Sequence, residues 1–388
     1  MMEYIYLDNS ATTALSPAAR EKMLQAMDCY GNPSSYHRLG RDAAALLNQA
    51  REQVAQSLGL RRLSPGELVF TSCGSEANSL AILGCAYAKT RRTAGRIVTT
   101  DSEHPAVEQV MQRLERDGFE VIRISTRGGA LDMEQVDKAL NDRVFMVSMM
   151  LVNNETGALY DLKRVFSLAR TRSPGVITHT DAVQGYLKCR FTPASLGADL
   201  VTVSAHKVHG PKGVGALYIN PALLKAKQIV PWLVGGGQEN GMRSGTENIP
   251  GIAAFGAAVG QAFATLDHDI AHMQQLREHL VKGLLALDIG VKQPSGSCAP
   301  HIVNLTLPNI KSEVMLHFLD ARGICVSAGS ACSTRSRHIS SALLAFGATE
   351  READCSLRVS LCANNTEEEI DTLLAALSEG LSSLIRIR

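Results

Sequence analysis

Leu200-Val201-Thr202-Val203-Ser204-Ala205-His206-Lys207-Val208-His209-Gly210-Pro211-Lys212-Gly213-Val214-Gly215 begins as an apolar, β-branched run, passes a lysine set between two imidazoles, and ends in turn residues. A run too short for a helix and bounded by Gly and Pro predicts a buried strand. The same kind of run returns at 68–71, 96–100, 119–124, 144–151, 176–180 and 215–219. Helix-period stretches at 76–91, 105–117 and 161–171 lie between them. That interleaving predicts βαβ crossovers, hence an α/β class with a mostly parallel seven-stranded sheet in a large domain. From Asn248 a long amphipathic stretch runs towards Leu287. Beyond it the order becomes strand, helix, strand, helix, strand, helix, with strands expected at 302–307 and 356–360, which predicts a second, smaller α+β domain. The expected division is 16–262 for the large domain, and 1–15 with 263–388 for the small one.

Composition narrows the function. With 388 residues the chain exceeds a usual single domain. Its 39 basic and 38 acidic side chains nearly cancel, so direct nucleic-acid binding is not expected. No stretch approaches the roughly 20 apolar residues of a membrane span. The first apolar run, Tyr4 to Leu7, is too short for a signal sequence. Nine scattered cysteines without a C-x-x-C pair point away from a disulfide framework and from a metal site, and towards a reducing cytoplasm.

In open α/β sheets ligands sit beyond the carboxyl ends of the strands, so the residues that close each strand become the candidates. After 68–71 comes Ser72-Cys73-Gly74-Ser75-Glu76, a small-residue turn entering a helix. Free N–H groups and the positive helix end there suit a phosphate, although Ser75 would serve equally as an ordinary N-cap. Asp181 follows 176–180 and suits a protonated ring nitrogen, although taken alone it reads as a solvated turn aspartate; Gln184 sits three residues on. Lys207 lies just past an apolar strand, where partial desolvation frees an amine for Schiff-base chemistry. Arg358 falls within Ser356-Leu357-Arg358-Val359-Ser360, a strand in which a guanidinium needs an anion unless it reaches solvent from a sheet edge. Cys332 lies in Ser327-Ala328-Gly329-Ser330-Ala331-Cys332, among residues with little core-building bulk, so an accessible thiol on a loop is expected.

Together with Tyr6 to Thr13, Ser102-Glu103-His104, Val152 to Gly157 and Gly241 to Thr246, these strings resemble the NifS/IscS-type cysteine desulfurases over nearly the whole chain. The lysine string alone would indicate only the wider class-V aminotransferase group of fold type I pyridoxal-phosphate enzymes. The resemblance implies pyridoxal 5'-phosphate bound as a Schiff base to Lys207, its pyridinium nitrogen paired with Asp181 and its ring stacked by His104. It implies Gln184 at the ring hydroxyl, Gly74, Ser75, Ser204 and His206 at the phosphate, and Asn154 facing cofactor and substrate. Arg358 would grip the carboxylate of L-cysteine, and Cys332, on a mobile loop at about 327–340, would carry the sulfur as a persulfide. A homodimer with shared active sites is implied as well, with Thr246 completing the phosphate cup of the partner subunit.

After Cys332 the family's usual acidic stretch is replaced by Ser333-Thr334-Arg335-Ser336-Arg337-His338. The expected sulfur acceptor, an iron-sulfur scaffold or a thiolation protein, would therefore present an acidic surface. Selenocysteine lyase or another class-V activity is the enzymatic alternative, and a loop thiol argues against an aminotransferase. A non-catalytic scaffold would have no use for Lys207, Asp181, His104, Arg358 and Cys332 together.

Overall fold

The structure, a computed structural model, describes residues 4–88, 95–328 and 339–385. Its main sheet has seven strands, in the order Leu68–Thr71, Gly215–Ile219, Leu200–Ser204, Ile177–Asp181, Val144–Ser148, Arg96–Thr100 and Glu120–Ile124. Gly215–Ile219 runs antiparallel to both neighbours, and every other pairing is parallel. This is the mostly parallel sheet that the apolar runs predict. The runs are continuous rather than alternating because both faces are covered. Phe70, Val98, Val147 and Val201 enter one core, while their neighbours Val69, Ile97, Met146 and Leu200 enter the other.

The amphipathic stretch after Asn248 is built of two helices. It forms Ile249–Ala264 and Leu266–Ala286, bent by 74°. The first of these is packed against both Pro17–Met27 and Arg38–Ser57. The approach is close: a Cβ at Gly256 would stand 2.6 Å from Ala50 Cα. The second turns away to cover a different core with Glu367–Ser383. No single helix among the described residues is long and apolar enough to cross a membrane.

That third core lies under a four-stranded antiparallel sheet, in the order Gly290–Val291, Ile302–Thr306, Ser356–Ser360 and Ser327–Ala328. Val303, Leu305, Leu357 and Val359 fill it. Residues of the opposite parity face the other way, so Asn304, Arg358 and Ser327 form one row across three strands. Arg358 therefore sits on an interior strand, and the sheet-edge alternative fails. Ile5–Tyr6 pairs in parallel with Ile324–Cys325, which brings the N-terminal segment against this layer.

Candidate active site

Where the carboxyl ends of the large sheet meet Arg358 of the small one, the chain encloses a cavity of about 480 Å³. Gly74, Ser75, His104, Asn154, Asp181, Gln184, Ser204, His206, Lys207 and Arg358 all line it. Thr246 does not; it is exposed elsewhere on the surface. Cys332 lies outside the described residues.

One end of the cavity is a cup at the start of helix Gly74–Ala86. Cys73, not Ser75, occupies the N-cap and makes no side-chain capping bond, so the first-turn N–H groups have no partner from the cap or the helix. The Ser75 side chain is exposed. Ser204 closes its strand nearby with a buried, unpartnered hydroxyl. The walls leave no room for larger residues: a Cβ at Gly74 would lie 2.9 Å from Val183 Cγ2, and one at Gly215 only 2.6 Å from the Cys73 carbonyl carbon. A cup of free N–H groups, an orphan hydroxyl and a helix N-terminus fits a phosphate.

Deeper in, Asp181 closes its strand buried. Its Oδ2 accepts from Asn78 Nδ2 at 2.7 Å and its Oδ1 from the Val183 N–H at 3.0 Å, which fixes the carboxyl plane. His104 both caps helix Pro105–Arg116 and lines the cavity. Its Nδ1 accepts from the Ala106 N–H at 3.1 Å, which assigns the ring proton to Nε2. Burial pushes this imidazole below its usual range; the Lys207 charge adds to that and Asp181 opposes it. A neutral ring suited to stacking results.

Lys207 ends the short turn Ala205–Lys207 that follows its strand. Its Nζ donates to the Ser10 carbonyl and, at 2.9 Å, to that of Ala11. Gln184 donates to the same Ser10 oxygen at 2.9 Å, leaving its own Oε1 buried and unpartnered. His206 is pushed down to about 4, by burial first and then by the charges of Lys207, Lys188 and Lys212. Its Nδ1 stands 3.2 Å from the Thr12 hydroxyl. The Tyr6 to Thr13 motif thus buttresses the lysine turn.

Arg358 is only 4% exposed. Its Nη2 donates to Asp8 Oδ1 at 2.9 Å and its Nη1 to the Asn154 carbonyl at 3.0 Å, while Nε has no partner. Of the two adjacent asparagines, Asn153 is used up on backbone: its Oδ1 accepts from the Glu155 and Thr156 N–H groups. Asn154 is the one that lines the cavity.

Three buried groups escaped the sequence reading. Glu103 is pushed up to about 8 by burial; Met150 N–H and the Thr100 hydroxyl donate to Oε1, and Oε2 has no partner. Glu155, pushed up to about 7 by burial, accepts from the Ser340 hydroxyl at the cavity wall. Lys188 is buried with an unpartnered Nζ and is pushed down to about 7, by burial first and then by Lys207. Glu103 and Glu155 sit inside the S-E-H and N-N-E-T-G strings, and that membership was the only signal available.

The orphaned polar atoms and the glycine walls fit pyridoxal phosphate: an anion cup, a carboxyl for the ring nitrogen, an imidazole and a lysine share one cavity. Comparison with known proteins agrees. The Aminotransferase class-V model matches residues 5–373. A cysteine desulfurase of Trichormus azollae is 37% identical over 382 residues, covering 97% of this chain and 93% of the relative. Among solved structures, a NifS-like protein superposes with a TM-score of 0.90 at 36% identity, covering 98% of this chain and all of its own. The protein SspA, solved in complex with cysteine, reaches 0.79 at 31% identity, covering 93% of this chain and 99% of its own. The chain therefore belongs to the class-V aminotransferase family and, within it, to the cysteine desulfurases, a family of pyridoxal-phosphate enzymes.

Proposed function

We propose that this cavity removes sulfur from L-cysteine, releases L-alanine and leaves the sulfur as a persulfide on Cys332. The observation that carries the proposal is the convergence of Lys207, Asp181, His104 and Arg358, from two sheets, on one cavity. The cysteine bound to the relative SspA supports the substrate. Pyridoxal phosphate, when bound, supplies a carbon that captures amines and a ring that withdraws electrons from the substrate Cα.

Gly74, Ser75, Ser204 and His206 would hold the phosphate, with Asp181 for the ring nitrogen, Gln184 for the ring hydroxyl and His104 for the ring face. Asn154 and Arg358 receive the substrate, whose carboxylate matches the guanidinium fork. Lys207 would hold the cofactor through its Nζ, and the same amine is the base that removes the substrate Cα proton. The Cys332 thiolate attacks the substrate sulfur. An S–S bond forms as Cβ–S breaks and the bonding pair stays with Cβ; one proton delivered to Cβ and one returned to Cα by Lys207 complete alanine. Substrate carbon is reduced, and sulfur is oxidised to the sulfane level.

The working unit divides into a large domain at 16–262 and a small one at 1–15 and 263–388. It is a homodimer in which Thr246 completes the partner subunit's phosphate cup. Exposed Met27, Tyr30, Tyr36 and Val234 support burial against a second copy. The persulfide passes to an iron-sulfur scaffold or thiolation protein in the cytoplasm, docked by an acidic surface against Arg335, Arg337 and His338. Alkylation after a brief exposure to cysteine, followed by peptide mass analysis, tests the sulfur site. The Cys332 peptide should gain one sulfur atom; sulfur on another cysteine, or on none, would overturn the assignment.

A further inference from the structure

Glu76 and Arg243 join two motifs that the proposed chemistry leaves unconnected. Glu76 lies in the first turn of the phosphate-cup helix, and its Oε2 accepts from the Ser72 N–H at 2.8 Å. Arg243 Nε donates to Glu76 Oε1 at 2.8 Å, in a pair whose side chains are 21% and 20% exposed. Partial burial pushes this carboxyl up, but hydrogen bonds from Arg243 and Ser72 outweigh it and hold the group below the usual carboxylate range. Arg243 stands three residues before Thr246 in Gly241-Met242-Arg243-Ser244-Gly245-Thr246. The chain just before this segment is pinned again where Arg51 grips Glu239 through both terminal guanidinium nitrogens, at 2.9 and 2.7 Å. Between the pins the Gly241 and Met242 N–H groups close a tight turn and Met242 is buried; beyond Arg243 the Ser244 N–H reaches the Leu233 carbonyl and the Gly245 N–H reaches Gln238 Oε1, and Thr246 itself is exposed.

We propose that Arg243 is a positioning residue: its ion pair with Glu76 fastens the segment bearing Thr246 to the protomer's own phosphate cup, and so links the two cups of a dimer. The proposal rests on the reading that Thr246 serves the partner subunit. A carboxylate beside a phosphate site is otherwise unfavourable, because like charges repel. Glu76 Oε1 is taken by Arg243 and its Oε2 by the Ser72 N–H, so its charge has a partner in the segment that bears Thr246.

The sign of one substitution separates this role from simple electrostatics. Glu76→Gln keeps the acceptor for the Ser72 N–H but removes a negative charge near the phosphate. Electrostatics alone predicts tighter cofactor; a fastening role predicts looser cofactor. The measurement is the rate at which the full-length holoenzyme loses its visible cofactor band in excess inorganic phosphate, with dimer content followed by sedimentation. Glu76→Gln, Arg243→Met and Thr246→Val should each release cofactor about tenfold faster while remaining dimeric. The Glu76→Gln/Arg243→Met double variant should be no faster than the worse single, as expected for residues acting as a unit. Slower release by Glu76→Gln, or unchanged release by Arg243→Met, with Thr246→Val still fast, would overturn the fastening role and leave the shared cup standing. Unchanged release by Thr246→Val would overturn the shared cup and the link together.

Discussion

Arg358→Lys isolates the substrate grip from the architecture around it. The arginine uses two nitrogens at once, Nη2 towards Asp8 and Nη1 towards the Asn154 carbonyl, from an interior strand. Truncation to alanine would leave Asp8 without its partner and cost about 3–5 kcal/mol of stability, confusing folding with binding. Lysine keeps the charge for Asp8 but has no fork. The loss is then about one charge-assisted hydrogen bond to the substrate carboxylate, roughly 1.5–3 kcal/mol. At about 1.4 kcal/mol per decade, KM for cysteine should rise roughly 10- to 150-fold. Alanine formation against cysteine concentration measures this, with the visible cofactor band as the control. Cysteamine, which lacks the carboxylate, should bind the two proteins alike. A KM within about threefold of wild type, or an equal loss of cysteamine binding, would refute the carboxylate role.

Gly74→Ala should weaken cofactor binding at least tenfold in titrations, since the new Cβ would crowd Val183 and Ser204 at 2.9 and 3.4 Å; undiminished affinity would remove Gly74 from the cup. Glu103→Gln should change how stability depends on pH. The Glu103 carboxyl, raised from 4.5 to about 8, ionises more readily in the unfolded chain, so its contribution is intact below about 4.5 and is lost as pH rises through about 8. The variant's thermal midpoint relative to wild type should therefore climb between pH 5 and pH 9, and a flat difference would contradict a carboxyl kept protonated by burial.

The strands were legible because all but the edge strand Glu120–Ile124 are short, largely apolar or β-branched runs buried on both faces, and the residues closing them became cavity candidates with no further information. Arg358 stood out for a related reason: a charge inside an apolar run must have a partner, although the sequence could not say that Asp8, some 350 residues away, would supply it. What escaped notice depended on burial, which residue type does not reveal. Glu103 and Glu155 look like ordinary polar loop residues until the fold encloses them. Lys188 resembles a surface lysine and is nearly inaccessible. The break at Thr265 carries no Gly or Pro; it arises because Ile249–Ala264 is wedged between two helices while its successor serves another core. Ser75 would have served equally as a cap because serine caps well, but the cap is Cys73, two residues earlier, and Ser75 stands exposed in the first turn.

The central claim is that this cavity turns cysteine into alanine and transferable sulfur. Its most direct test is product analysis of the full-length protein with pyridoxal phosphate, L-cysteine and dithiothreitol, beside Lys207→Ala. The account predicts alanine and sulfide in equal amounts from the wild type and neither from the variant. Pyruvate with ammonia, a keto acid from amino transfer, or alanine formed at the normal rate without Lys207 would contradict it.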